Sequence, residues 1–317
     1  MNTPDAVCVG ESMALLVPGE SGPPELVRTW VRSVGGAESN VACNLVRLGV
    51  PTRWVSALGD DPFGRAVLAE VASFGVDTSG VVIDPARPTG LYVKESNASG
   101  SPVRYYRSGS AASALGPALV STMDLTGIRL VHVSGITAAL SDSCLELMHA
   151  LVSATRTHLL SFDLNWRPAL WAHRESGVLR ELANAADIVF AGEDEAAAAF
   201  GTADPLALRG LLPDPATLVL KHGARGASVL AHGEPAVFQP ALKVAVVEPV
   251  GAGDAFAAGF LAATLAGDDV ARRLRAGHLQ AATALRTHDD VGPPLPDEVV
   301  EALLDADAAT WAAAVIT

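Results

Sequence analysis

The sequence predicts a doubly wound α/β fold: a mostly parallel sheet flanked by helices, with a small second β-layer set into it. Three observations carry that expectation. Short apolar, β-branched runs alternate with helix-like stretches along most of the 317 residues, which is the pattern of repeated βαβ units. The alternation fails at residues 11–34 and 87–107, where strand-like runs follow one another with no helix between them. Glycine-rich turns stand directly before two helical stretches, at Gly35-Gly36 and at Gly251-Ala252-Gly253, and such strand-to-helix turns are where open α/β sheets meet ligands.

The elements follow in order. Residues 6–9 form a short apolar strand ending in Gly10-Glu11, and 13–17 form another. A Pro- and Gly-rich stretch over 18–29 leads to Trp30-Val31-Arg32-Ser33-Val34, which reads as part of a small hairpin. Gly35 and Gly36 open a helix that Gly49 closes. Strands at 54–58 and 81–83 flank a helix at 64–74, and a hairpin over 90–107 turns at residues 97–100. Strands at 130–133, 159–164, 187–190 and 218–221 then alternate with three helices: one capped by Ser141, one over 175–184, and one from Glu193 to Phe200. A second hairpin covers 227–238. Residues 244–247, Val-Ala-Val-Val, read as a buried strand that Pro249 ends. A helix from Asp254 to about residue 265 follows, with two more near 270–286 and 297–314.

Half of the residues are hydrophobic, enough to bury a sizeable core. No run of 18 apolar residues suggests a membrane span, and no basic, then apolar, leader suggests secretion, so the expected location is the cytoplasm. Cys8, Cys43 and Cys144 are few, odd in number and set among apolar residues, which fits buried thiols in a reducing compartment. A net charge of −13 argues against a nucleic-acid or anionic-membrane surface. Binding of an anionic small molecule then requires arginines concentrated at one place.

The stretch 244–265 offers such chemistry. Gly251 and Gly253 let a ligand approach the backbone without Cβ interference. Free N–H groups and the positive dipole end at a helix start make an anion site, and Asp254 sets a carboxylate beside it. The plain alternative makes Asp254 an N-cap and the glycines turn formers. A dinucleotide fingerprint would need a third glycine where Phe256 stands, and a Walker loop is excluded because no Gly-Lys-Ser or Gly-Lys-Thr occurs. Upstream, Gly35-Gly36 is either an ordinary turn or a backbone surface for a hydroxylated substrate, with the Asn40 amide one turn away. Asp163, Asn165 and Arg167, two apart in an extended segment, would project to one face at a strand's C-terminal end, as a site or as a salt bridge.

Taken together, Gly35-Gly36-Ala37-x-x-Asn40-Val41-Ala42 and Gly251-Ala252-Gly253-Asp254-Ala255-Phe256 resemble the two signatures of the PfkB/ribokinase family, and the similarity covers essentially the whole chain. Within that family, three segments are similar to those of 2-keto-3-deoxygluconate kinases: Tyr105-Tyr106-Arg107-Ser-Gly-Ser, Ser134-Gly-Ile-Thr137, and Asp163-x-Asn165-x-Arg167-Pro168. The resemblance implies a ribokinase-like three-layer αβα architecture, one domain over 1–317 with β-sheet lid segments at 11–34 and 85–109. It further implies ATP and Mg²⁺, phosphorylation of the terminal (C6) hydroxyl of a sugar acid, lid closure on substrate, and a second copy of the chain as partner through the lid.

Residue by residue, the resemblance makes Asp254 the base and Gly251, Ala252 and Gly253 the anion hole. Gly35, Gly36, Asn40, Tyr92, Tyr105, Arg107, Ile136, Arg167 and Asp290 correspond to sugar-facing positions. Asn165, Lys221, Gly223, Arg225, Gly226 and His278 correspond to nucleotide-facing ones, with Gly251 and Gly253, and Glu195 to a metal ligand. Three departures stand out. The Asn-x-x-Glu metal motif reads Gly192-Glu193-Asp194-Glu195, His278 replaces a common asparagine beside the adenine, and Glu248-Pro249-Val250 replaces a frequent Asp-Thr-Thr.

The chemistry agrees with this division of labour. Phosphoryl transfer depends on positioning and charge stabilisation, which oriented amides supply. An ordinary aspartate titrates near about 3.9 and is a weak, ionised base at neutral pH. A substrate carboxylate calls for planar guanidinium forks, for which Arg107 and Arg167 are the candidates. The rival readings are a fructokinase- or ribokinase-like kinase of a neutral sugar, and a non-catalytic sugar-binding protein that has no need of Asp254.

Overall fold

A computed structural model describes residues 3–20, 22–94, 103–172 and 174–316. β1 (Ala6–Val9) lies inside a nine-stranded sheet, and the chain then leaves it to form the antiparallel pair β2 (Met13–Pro18) and β3 (Trp30–Gly35). α1 (Ala37–Arg47) ends where Gly49 takes φ 81°, a left-handed position that glycine adopts without Cβ strain. β4 (Thr52–Gly59), α2 (Pro62–Ser73) and β5 (Asp77–Asp84) form the next βαβ unit. Pro62 starts α2, and the Asp61 side chain caps it by accepting from the Gly64 N–H. β6 (Leu91–Lys94) and β7 (Val103–Tyr106) complete a separate sheet of order β3-β2-β6-β7. The turn expected at 97–100 lies outside the described residues.

Alternation then resumes with α3 (Ala118–Thr122), β8 (Leu130–Ser134), α4 (Gly135–Leu140), α5 (Asp142–Ser153), β9 (Leu159–Asp163), α6 (Pro168–Trp171) and α7 (Ser176–Asn184). It continues through β10 (Ile188–Gly192), α8 (Glu193–Phe200), α9 (Pro205–Leu211) and β11 (Thr217–Lys221) to the edge hairpin β12 (Gly226–Ala231) and β13 (Val237–Pro240). β14 (Lys243–Val244), α10 (Ala252–Ala266), α11 (Val270–Leu285), α12 (Asp297–Leu304), α13 (Ala308–Ala313) and β15 (Val315–Ile316) follow. The large sheet runs β13-β12-β11-β10-β9-β8-β1-β4-β5 and is parallel except along the β11-β12-β13 edge. Strand order reverses at β1, whose two parallel neighbours β4 and β8 lead the chain in opposite directions. That reversal opens a crevice at the strands' C-terminal ends.

Period-two alternation sends side chains to two cores. Val7, Val9, Val131, Val133, Val189 and Leu218 pack on one side of the sheet with α5 and α7. Ala6, Cys8, Leu130, Phe190 and Val219 pack on the other with α1, α10 and α11. The sheet is therefore the middle of three layers, as expected. α10 and α11 pack closely because both are glycine-notched. A Cβ on Gly259 would stand 2.3 Å from the Ala276 carbonyl oxygen, and one on Gly277 would stand 2.9 Å from the Phe256 ring. The three cysteines are free and buried, and no helix among the described residues is long and apolar enough to cross a membrane.

Two expectations are corrected. Residues 244–247 are not a buried strand: β14 has two residues and pairs with β15 outside the large sheet, while Val246 and Val247 are 60% and 48% exposed. This run connects the edge hairpin to α10, and its Val247 N–H is taken by the Leu285 carbonyl at the end of α11, 2.8 Å away. The helix expected over 297–314 is two helices. Asp305 ends α12, and the Asp307 side chain accepts from the Thr310 N–H to cap α13.

Candidate active site

The C-terminal ends of the central strands and one face of the small sheet enclose a cavity of about 450 Å³. α10 begins at its wall. Gly251 takes φ 81°, and a Cβ there would stand 2.6 Å from the Asp290 carbonyl oxygen, so the turn requires glycine twice over. Gly251, Gly253 and Asp254 line the cavity. The first-turn N–H groups of α10 have no helical acceptors, and together with the dipole they form an anion cradle. Ala252 belongs to the same turn without lining the cavity.

Asn40, one turn into α1, joins two carboxylates: its Nδ2 donates to Asp254 Oδ2 at 2.9 Å and to Asp290 Oδ2 at 3.2 Å. Asp290 Oδ1 is buried with no partner among the described residues. Gly35 makes room here, since a Cβ would overlap the Tyr92 hydroxyl at 1.9 Å and approach Asp290 Oδ2 at 2.8 Å. The ordinary titration expected of Asp254 is corrected. Burial raises its pKa to about 7, the Asn40 hydrogen bond opposes the rise, Asp163 and Asp290 add to it, and Lys221 opposes it. Burial likewise raises Asp290 and Tyr92.

Asp163 has a different setting. Lys221, at the end of the neighbouring stretch of sheet, donates to Asp163 Oδ2 at 2.9 Å, and the Asn165 N–H donates to Oδ1 at 3.2 Å. Burial pulls the Lys221 pKa down, but Asp163 and then Glu195 outweigh it, so the ammonium is held above its usual range. Asp163, Asn165 and Arg167 all line the cavity as expected, though not through an extended segment: Asn165 is left-handed at φ 41°.

At the small-sheet end, Tyr92 and Tyr105 stack with ring centroids 5.7 Å apart, and the Arg107 guanidinium lies over Tyr105. Arg107 is not free to meet a ligand alone. Its Nε donates to Glu11 Oε2 at 2.6 Å, and Ser110 Oγ donates to Glu11 Oε1 at 2.7 Å. Gly36 caps α1 with extended backbone. Ile136 lines the cavity from α4, whose start is pinned by buried Glu38: Ser134 Oγ and Thr137 Oγ1 donate to its Oε1 at 2.7 and 2.8 Å. Burial raises the Glu38 carboxyl against those two hydrogen bonds.

On the nucleotide-facing side the placements divide. Glu195 lines the cavity and curls back over Gly192, accepting its N–H at 2.8 Å with Arg167 3.5 Å from its other oxygen. A Cβ on Gly192 would stand 3.0 Å from Glu195 Oε2, so the glycine permits this fold-back. Glu193 is a structural acid: it accepts from His222 and pairs with Arg225. Gly223 and Gly226 shape the turn after Lys221 with φ 59° and 142°, but they and Arg225 stand outside the cavity lining. His278 is the clearest correction. It is buried between Phe256 and Trp311, within 3.1 Å of the Gln239 carbonyl, and burial lowers its pKa to about 4. A neutral core histidine serves packing, and it does not face the cavity.

No cluster of three or more His, Cys, Asp or Glu side chains forms a metal cage among the described residues. Mg²⁺ does not require one. It keeps several waters and is held through one or two carboxylates plus substrate phosphates. The carboxylate of Glu195, which lines the same cavity as Asp163, fits that pattern.

A profile of the pfkB family carbohydrate kinases matches residues 3–298. The chain belongs to that family. This pfkB kinase is 34% identical over 306 residues to the 2-dehydro-3-deoxygluconokinase of Thermoproteus tenax, covering 94% of the chain and 93% of the relative. It is 36% identical over 297 residues to the 2-dehydro-3-deoxygluconokinase of Bacillus subtilis, covering 87% and 89%. Among solved structures, the pfkB kinase superposes with a TM-score of 0.78 on an uncharacterized sugar kinase from Pyrococcus horikoshii in complex with ATP, at 27% identity and with 93% and 97% of the two chains covered.

Three residues that sequence reasoning left out complete the pfkB kinase's cavity or its supports. Glu11 had a signal, an acid directly after a strand's end. Lys94 ends β6 two residues after Tyr92, which places both on one face. Glu38 sits inside the first glycine signature, where it is easily taken for a surface acid of a helix start.

Proposed function

We propose that this kinase transfers the γ-phosphoryl group of ATP to the terminal (C6) hydroxyl of 2-keto-3-deoxygluconate or a close sugar acid. The observation that carries the reading is Asp254, a carboxylate with its pKa raised to about 7, set on the first turn of a helix whose free amides line the same cavity. A base whose pKa lies near the working pH is the efficient one. The sugar hydroxyl attacks the γ-phosphorus, its new O–P bond forms as the bond to the β-phosphate oxygen breaks, and ADP leaves with that electron pair. Asp254 accepts the hydroxyl proton, while the amides of Gly253 and Asp254 face the charge on the transferring oxygens. Glu195 would hold Mg²⁺ together with the nucleotide phosphates, and the ion would supply neutralisation of phosphate charge there.

The named relatives and the Arg107, Tyr92 and Tyr105 cluster support a carboxylated substrate. Glu11 already occupies one edge of the Arg107 guanidinium, which leaves its remaining donors for the ligand. The same reading takes the chain as one domain with segments 11–34 and 85–109 acting as a lid, works in the cytoplasm, and lets a second copy pair over the exposed outer residues of the small sheet, such as Tyr106. A coupled ADP-release assay across sugar acids and neutral sugars tests it, with ³¹P NMR to locate the ester. Preference for fructose or ribose would replace the substrate with a neutral sugar, and an ester at another carbon would replace the C6 assignment.

A further inference from the structure

The small sheet and the turn that leads into α10 are joined by one largely buried ion pair. Lys94, the last residue of β6, is 5% exposed, and its Nζ lies 3.3 Å from Glu248 Oε2. The other Glu248 oxygen, Oε1, accepts from the Val250 N–H at 3.3 Å. Val250 and Gly251 then form the turn whose next amides line the cavity. On its far side the same segment is fixed to the core by the Val247 N–H bond to Leu285. A continuous line of contacts thus runs from the small sheet, through Lys94 and Glu248, to the amide cradle.

The other cations lining the cavity have acid partners elsewhere: Arg107 pairs with Glu11, Lys221 with Asp163, and Arg167 with Glu195. Among the described residues of the cavity, Lys94 is the cation whose acid partner lies on the segment entering α10. We infer that Lys94 and Glu248 are positioning residues: their ion pair couples the placement of the small sheet to the shape of the turn that receives the phosphoryl group. The pair acts through Val250 and Gly251 and touches no reacting atom. Glu248 contributes two separable contacts, since a glutamine in its place keeps an acceptor for Val250 and loses the charge that holds Lys94. This inference rests on the kinase reading for its kinetic consequence and on geometry alone for its structural one.

The test is hydrogen exchange of the full-length protein, read on peptides covering 88–94 and 246–254, together with steady-state kinetics on the preferred sugar. Lys94→Met and Glu248→Gln are each expected to speed exchange in both segments and to lower kcat about tenfold, through loss of preorganised amide donors. KM for the sugar should change by less than about threefold, because the lost interaction acts in the transition state. The double variant should be no worse than either single. Unchanged exchange at 246–254, or single effects that multiply in the double variant, would overturn the coupling. A raised KM for sugar acids alone would overturn it too, making Lys94 a reader of the substrate carboxylate. If neither single variant alters exchange while the wild type phosphorylates sugars, the coupling alone fails. If the variants alter exchange while the wild type phosphorylates no sugar, the kinase reading fails and the coupling stands.

Discussion

Asp163 and Asp254 line one cavity, yet their surroundings differ in kind. Asp163 has an ammonium 2.9 Å from one oxygen and a backbone N–H on the other. Asp254 has a neutral amide from Asn40 and two further acids nearby. Asp163, bonded to the Lys221 ammonium and to a backbone N–H, is tied into the framework. Asp254, hydrogen-bonded to a neutral amide and with Lys221 too weak an influence to offset its burial, is raised to about 7 and can exchange its proton near neutral pH. The same side chain serves as support in one place and, in the proposed reaction, as proton acceptor in the other.

The largest expected effect separates the two by activity. Asp254→Asn keeps the shape and removes the proton acceptor, so kcat should fall by about 10²–10⁴ while sugar binding by calorimetry persists. If turnover survives, the contrast has no catalytic meaning. Next, Lys221→Met leaves the Asp163 charge buried and unpaired, which should lower unfolding free energy by about 3 kcal/mol in a denaturant titration. A loss as small as that of a surface substitution would show Asp163 to be well solvated.

pH sharpens the comparison further. The proposed role requires the ionised form of Asp254 as proton acceptor, so kcat/KM should climb through a midpoint near 7 and then level off. Asn40→Leu removes the hydrogen bond that favours the ionised form, so the midpoint should move upward; a downward move would reverse the assigned role of the amide. The smallest effect is on stability. A carboxyl whose folded pKa lies above its unfolded value contributes stability below the unfolded pKa and loses it as pH rises through the folded one. Asp254→Asn should therefore raise Tm by a few degrees at pH 8, with the gain disappearing below about pH 4. Because Asp254 keeps some contact with water, the gain is modest.

Much of the architecture was legible because it is local. Period-two apolar runs and capped helices announce themselves within about ten residues, and both glycine turns lie where a Cβ would collide with its surroundings. What escaped depends on partners far along the chain. Asp254 owes its titration in part to Asn40, 214 positions away. His278 occupies a sequence position that suggests a base contact, but Phe256, Trp311 and the Gln239 carbonyl enclose it. Residues 244–247 have the composition of a strand, and composition states that a segment is extended without stating what it pairs with. Lys94 and Glu248, separated by 154 positions, carry no mutual signal in one sequence.

The notch at Gly259 extends the influence of the turn at the start of α10 well beyond the cavity. One methyl added there meets the Ala276 backbone and must pry α10 away from α11. Because α10 is a stiff rod whose N-terminus presents the amides, the displacement is carried two turns along its axis to the cavity wall. Surveys that rank positions by nearness to the ligand would score this glycine as silent, although a single alanine there should disable the enzyme while leaving every contacting residue in place.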